Sequence, residues 1–279
     1  MSPKPSAIAR ETASKPPAAP KRGRRLPLAA KAKPGRAKPG QPRGQSRDHG
    51  RDTLRLRVYR ALARGLMGGM FTPGEAVSLR TLAARLGTSA MPVREAVSRL
   101  IAARALVMLP NRSVIIPRMT RERFLELTRI RQKLEGMLAE MACVKASAGD
   151  IAELVRINEH LRQCLATDDL RGAMTGNMTF HFALYGFAGS EVTLPLVETL
   201  WLQAGPFVAL SAKLPNMRWS LRHHGRLIAA LRAGDHRAAR RAIEDDIEES
   251  LQQLLKKASF ADGRHADRRK PRGRARRMG

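Results

Sequence analysis

The chain has 279 residues, with 52 Lys and Arg against 24 Asp and Glu and a formal net charge of +28 at pH 7, a balance that points to a polyanionic partner. No run approaches the roughly 20 apolar residues that a membrane span requires, and the only two cysteines, Cys143 and Cys164, form no CxxC pair and argue against a disulfide framework. Aromatic residues make up 4% of the chain, too few for a single-strand stacking platform.

Residues 1–52 are rich in Pro, Ala, Gly, Lys and Arg and show no apolar periodicity, so a disordered basic tail is expected. They also lack the apolar core of a secretory signal. Leu54, Val58, Leu62 and Leu66 then mark a first helix, and Pro73-Gly74 a turn. Leu79, Leu82, Ala83 and Leu86 share one helical face, which Gly87 ends. Thr88 or Ser89 is placed to cap the next helix, Pro92 is tolerated in its first turn, and Glu95 suits its positive end. Val93, Ala96, Val97, Leu100 and Ile101 supply that helix with an apolar face. Helix, glycine turn and capped helix make a helix-turn-helix, whose second helix enters the major groove of DNA. Downstream, Ala105–Leu109 and Val114–Pro117 flank the basic tip Pro110-Asn111-Arg112-Ser113, a hairpin in the place of a wing. A winged helix-turn-helix domain over 53–118 is expected.

Within it, Arg94 lies in the first turns of the recognition helix, where side chains reach base edges, and arginine to guanine is the commonest specific pairing. Arg99, farther along, suits a phosphate or a solvated helix face. Thr88 and Ser89 are placed to donate to phosphate, and Arg112 to enter the minor groove or lie on the backbone. The run from Pro73 to Pro117 resembles the DNA-binding domain of the GntR family of bacterial transcription regulators. The likeness rests on Pro73-Gly74-Glu75, Leu82-Ala83, Leu86-Gly87, Pro92-Val93-Arg94-Glu95-Ala96, Leu100 and Leu106-Val107. It departs from the family at Leu79, where an acidic residue is usual, and at Ala90, where a basic or polar one is common. Arg104 and Ser113 replace frequent glycines. The resemblance gives Arg80 an operator contact. It also implies a cytoplasmic, nucleoid-associated regulator whose homodimer reads a palindromic double-stranded operator.

Residues 119–255 read as all helix. Phe124, Leu127, Ile130, Leu134, Leu138 and Met141 mark one helix, and Asp150 is placed to cap a second ending near Leu165. Further helices are expected over Leu170–Phe187, over Val192–Leu210 with a bend at Gly205-Pro206, over Met217–Arg232, and from His236 to about Leu255. Six helices suffice for a single core. Net charge is +11 over residues 1–52, +9 over 53–118, zero over 119–255 and +8 over 256–279. The helical half therefore has a different task from the basic half, and 256–279 is expected to be a second disordered basic tail. The expected fold is mainly α, a winged helix-turn-helix followed by an all-α bundle.

Asn177 and His181 are four apart and project from one helical face, the geometry of two ligands to one ion. These residues and the stretch His224–Asp235 resemble the FCD-type ligand domain of the FadR-like branch of the same family. That resemblance implies a divalent metal whose coordination a small carboxylate effector completes, with His181 and His224 matching in place. Asn177 stands where an acidic ligand is usual and Asp246 where a third histidine is usual. Two imidazoles and a carboxylate suit zinc, nickel, manganese or iron; the alternative is that both histidines only hydrogen-bond inside the bundle. Arg131 resembles a position that faces the family's cavity and suits an organic acid, or else pairs with Glu135 on the surface. His223 projects about 100° away from His224, and Trp201 and Trp219 are expected in the core or at the cavity rim.

The expected function is a ligand-responsive DNA-binding transcription regulator rather than an enzyme. Two rivals compete with it. One is a constitutive architectural DNA binder driven by its basic tails. The other is a metal-dependent hydrolase using Asp246 or Glu244 as base.

Overall fold

The structure is a computed structural model that describes residues 43–210, 218–257, 260 and 261, with side chains from residue 53 onward apart from those of 218, 219 and 257. The remaining parts of the two basic tails and the Trp219 side chain lie outside the described residues. Nine helices and one three-stranded sheet occur among them. None of the helices is long and apolar enough to cross a membrane.

The first helix, α1, spans Arg43–Met67. The disordered tail expected over 1–52 is thus corrected: helix begins ten residues before its end. Val58, Leu62 and Leu66 of α1 are buried against Val93, Val97 and Leu100 of α3 (Ala90–Ala102). Between them lies α2 (Leu79–Leu86), capped by Ser78, whose hydroxyl accepts the Thr81 N–H, and ended by Gly87 at φ +62°. Ser89 is the N-cap of α3, but neither it nor Thr88 makes the expected cap: Ser89 forms no side-chain capping bond. The wing is β2 (Val107–Met108) paired with β3 (Ser113–Ile115). A third strand, β1 (Ala76–Ser78), pairs antiparallel with the other edge of β3, Val77 opposite Val114, giving the order β1-β3-β2.

At the end of α3 the chain turns through Arg104 at φ +57°. The Ala105 N–H reaches the Leu100 carbonyl and the Arg104 N–H the Ile101 carbonyl, a Schellman closure that normally takes glycine at this position. Arg104 thus carries left-handed strain at a position whose closure favours glycine. Arg104→Gly is expected to stabilise the winged helix by about 1 kcal/mol, read as a higher denaturation midpoint; an unchanged or lower midpoint would count against this account.

The bundle comprises α4 (Arg121–Lys145), α5 (Ala148–Ala166), α6 (Leu170–Phe187), α7 (Thr193–Val208), α8 (Arg218–Ala233) and α9 (His236–Lys257). Asp150 is not the cap of α5 but its third residue; Ser147 is the cap, and the two side chains form a reciprocal capping box. α9 packs on α4 and α8, and α5 on α6. The tail expected to start at 256 instead docks. Phe260 lies 5.6 Å from Phe124 and 6.4 Å from Phe207 between ring centroids, and the Ala261 N–H donates to the Met119 carbonyl.

One apolar core runs from the winged helix into the bundle, through Leu66 and Met67 of α1 to Met178 and Leu202. The join explains Gly205. α7 continues through Pro206, which lies inside the helix, to Val208. A Cβ on Gly205 would lie 2.5 Å from the Met67 Cα and 3.0 Å from the Leu66 carbonyl oxygen. The glycine is there to let two helix backbones meet.

Candidate functional site

Four helices send polar side chains into the centre of the bundle. α4 contributes Thr128, Arg131 and Glu135; α6 contributes Asn177, His181 and Tyr185; α8 contributes Ser220 and His224; α9 contributes Asp246. Spacings of three and four place each set on one helical face. His181, His224 and Asp246 are at most 5% exposed, and one ligand atom from each lies within 4.8 Å of the others. His181 Nε2 is 3.2 Å from Asp246 Oδ2. The His224 ring stacks on Phe180 at 3.7 Å and 9°, and its Nδ1 lies 3.0 Å from the Asn158 Oδ1.

Burial drives the electrostatics. It pushes the His224 imidazole down to about 3, against the pull of Asp246, so that ring is neutral at ordinary pH. For Asp246 burial acts upward, but the His181 hydrogen bond and the neighbouring imidazoles outweigh it and hold the carboxyl below its usual value. Burial together with Glu135 raises the Tyr185 phenol. Asp246 therefore brings a negative charge into the interior, and its Oδ1 is buried with no hydrogen-bond partner. An orphaned carboxylate oxygen beside two imidazoles is a donor set that fits a divalent cation, with His181, His224 and Asp246 as the residues to hold it.

The other expected residues are arranged around this cluster. Asn177 is buried on the cavity wall, where its Oδ1 accepts the Ser220 hydroxyl at 2.8 Å. Through Ser220, whose hydroxyl also lies 3.1 Å from His224 Nε2, it adjoins the three converging ligands and lines the same cavity. Arg131 is no exposed arginine: it is 4% exposed, donates to Glu135 at 2.6 Å and stacks over Trp201 at 4.5 Å. It also lines the cavity beside His181 and Asp246, so both sequence readings of this residue describe part of its position. The cavity measures about 30 Å³, room for an ion and one or two waters. His223 faces elsewhere, 2.7 Å from Glu249. Glu244, the other candidate base, pairs with Arg240 and Lys133 outside the cluster. Tyr185 and Asn158 escaped sequence reasoning, and Glu135 was read only as a surface partner of Arg131. The signal for two of them was present, because Glu135 is four residues from Arg131 and Tyr185 four from His181.

On the winged helix, Arg80, Ser89, Arg94 and Arg112 are exposed on α2, on the first cap of α3, on α3 itself and at the wing tip, with Thr88 half-buried. Arg112 takes a left-handed φ of +61° in a turn where the Asn111 side chain accepts the Ser113 N–H. Arg99 is exposed on α3, as a solvated helix face requires. Its guanidinium sits 3.9 Å over the Tyr59 ring of α1 and lines a cleft of about 580 Å³ between the two halves, with Met178, Phe182 and Leu202 opposite. Met91 is 61% exposed in the first turn of α3.

Comparison with known proteins adds independent findings. Residues 54–116 match the model for bacterial regulatory proteins of the gntR family, and residues 126–249 match the FCD domain. The HTH-type transcriptional regulator McbR of Escherichia coli is 28% identical over 202 residues, which cover 71% of this chain and 91% of McbR. The solved structure of E. coli McbR/YncC superposes with a TM-score of 0.69 at 29% identity, covering 73% of this chain and 97% of that one. A GntR transcriptional regulator from Rhodococcus sp. RHA1 superposes with a TM-score of 0.59 at 25% identity, covering 73% and 98%.

Proposed function

We propose, starting from the chain's membership of the GntR family of bacterial regulators with an FCD domain, that it is a cytoplasmic repressor or activator whose homodimer binds a palindromic operator under the control of a small carboxylate. Arg94 reads a base edge, Arg80 and Arg112 hold the flanking backbone or minor groove, and Thr88 and Ser89 donate to phosphate at the start of α3. Ala90 and Met91 present methyl groups there, chemistry suited to thymine. In the bundle, His181, His224 and Asp246 hold a divalent cation (zinc, nickel, manganese or iron), which when bound supplies open coordination positions for the effector. Arg131 takes the effector's carboxylate.

The observation that carries this reading is the meeting of three buried ligand atoms beside a buried arginine. The same helix supplies a route outward. α6 turns Asn177 and His181 toward the cavity and Met178 and Phe182 toward α1, so a shift of α6 moves the reading head. No catalysis is assigned, because Glu244, one of the two candidate bases, lies outside the cluster and Asp246 is itself a ligand.

The test is operator selection with the full-length protein, followed by titration of the selected DNA with and without divalent cation and a panel of small carboxylates. Arg94→Ala is expected to cost about 1–3 kcal/mol of operator affinity and to relax preference at one base position. Equal affinity for all sequences would favour an architectural binder, and indifference to every cation and carboxylate would sink the effector reading.

A further inference from the structure

We propose that Tyr185, anchored by Glu135, is a positioning residue that decides which nitrogen of His181 faces the cavity. The argument follows protons. Glu135 is fully buried and accepts from Arg131 Nε at 2.6 Å, Trp201 Nε1 at 3.0 Å and the Tyr185 hydroxyl at 2.5 Å. An ionised carboxylate only accepts, so the single phenolic proton goes to Glu135. Tyr185 then presents only lone pairs to His181 Nδ1, 2.9 Å away, and Nδ1 must carry a proton.

The consequence falls on the other side of the ring. His181 Nε2 points at Asp246 Oδ2 from 3.2 Å. With one ring proton held on Nδ1, Nε2 faces Asp246 Oδ2 as acceptor to acceptor, an arrangement that needs a positive species between them: a divalent cation or, without one, a second proton on Nε2 donated to Asp246. Without the phenol, the proton is free to sit on Nε2 and donate to Asp246, which closes the site with no cation. The hydroxyl thus keeps His181 available as a ligand, at the expense of an internal hydrogen bond. Its anchor tolerates full burial because Arg131, stacked on Trp201, neutralises Glu135. His224 has a weaker counterpart in Asn158, since an amide can present either its oxygen or its nitrogen, whereas a phenol bound to a carboxylate can only accept.

The affinity part of this inference rests on the reading of the cluster as a cation site; the proton placement does not. The experiment compares full-length wild type with Tyr185→Phe, which removes one oxygen and keeps the ring. Zn²⁺ alone is titrated in competition with a chromophoric chelator, and ¹⁵N spectra of the metal-stripped proteins report which ring nitrogen of His181 is protonated. The variant is expected to bind Zn²⁺ about 10–100-fold more weakly, the range for loss of a partner behind a metal-ligating histidine. Its His181 proton is expected to move from Nδ1 to Nε2, and its metal-free melting midpoint not to fall. Equal Zn²⁺ affinity with Nδ1 still protonated in the variant would overturn the proposal. So would a lower midpoint with no change of tautomer, which is the mark of a packing role. If wild type itself takes up no Zn²⁺, the cation reading fails, and the ring proton in wild type and variant still decides the role of Tyr185.

Discussion

Replacement of His224 by alanine is expected to remove the cation site and to flatten the acid limb of the stability curve. Losing one of three ligands should lower affinity for a divalent cation by more than the roughly 100-fold that an outer partner costs. In the metal-free protein at pH 7.5 the variant should also be less stable by about 3 kcal/mol, because a buried ring stacked on Phe180 leaves a cavity. The pH dependence runs the other way. His224 has a folded value of about 3 against an ordinary 6.5, so above pH 6.5 the ring is neutral in both states and its contribution is complete. As pH falls from 6.5 toward 3, only the unfolded chain takes up the proton. Wild type then loses stability by about 1.4 kcal/mol per pH unit, on the order of 5 kcal/mol in all. The alanine variant has no such proton to take up, so its disadvantage should shrink toward pH 4. Denaturant melts of the metal-stripped proteins at pH 7.5, 5.5 and 4 measure this. Parallel curves would show that His224 titrates normally, and unchanged cation affinity would remove it from the ligand set.

The second large effect is expected at Gly205. Alanine there places a methyl group 2.5 Å from the Met67 Cα, against backbone that cannot swing aside. Overpacking of this kind costs about 1–3 kcal/mol, and α1 and α7 can relieve it only by separating. Gly69 nearby is equally tight, since a Cβ there would meet the Ala209 Cβ at 2.3 Å. Gly205→Ala should therefore loosen the join while leaving the cation cluster intact. Zn²⁺ affinity should be retained, operator affinity should change, and proteolysis near the join should accelerate. A variant with wild-type operator affinity and wild-type protease resistance would show that the contact does not set the placement of the reading head.

Local signals made the helix-turn-helix readable. Gly87 and the apolar faces around it act within a few residues, so propensity and pattern suffice. β1 was invisible because its three residues pair with a strand more than thirty residues away, and the close approach at Gly205 was invisible because nothing nearby in sequence reveals the backbone of α1. Arg99 shows the same limit: five residues beyond Arg94 is about 140° further round the helix, which turns it toward Tyr59. The convergence of His181, His224 and Asp246 was legible through resemblance and spacing. What sequence could not supply was the layer behind it. Glu135 and Tyr185 sit at suitable spacings, but so do many pairs on any helix, and only their mutual hydrogen bond across two helices singles these out.

The small size of that cavity has a kinetic consequence. A space of about 30 Å³, walled by Trp201, Phe124 and Leu251, admits an ion but not an organic acid. On the reading proposed above, a carboxylate has to wait for the bundle to breathe, so its observed association rate is capped by the opening step and its apparent dissociation constant is inflated by the scarcity of open molecules. Once inside, it would be held by the same walls. Such a regulator would respond late and forget slowly, averaging over brief fluctuations of its signal.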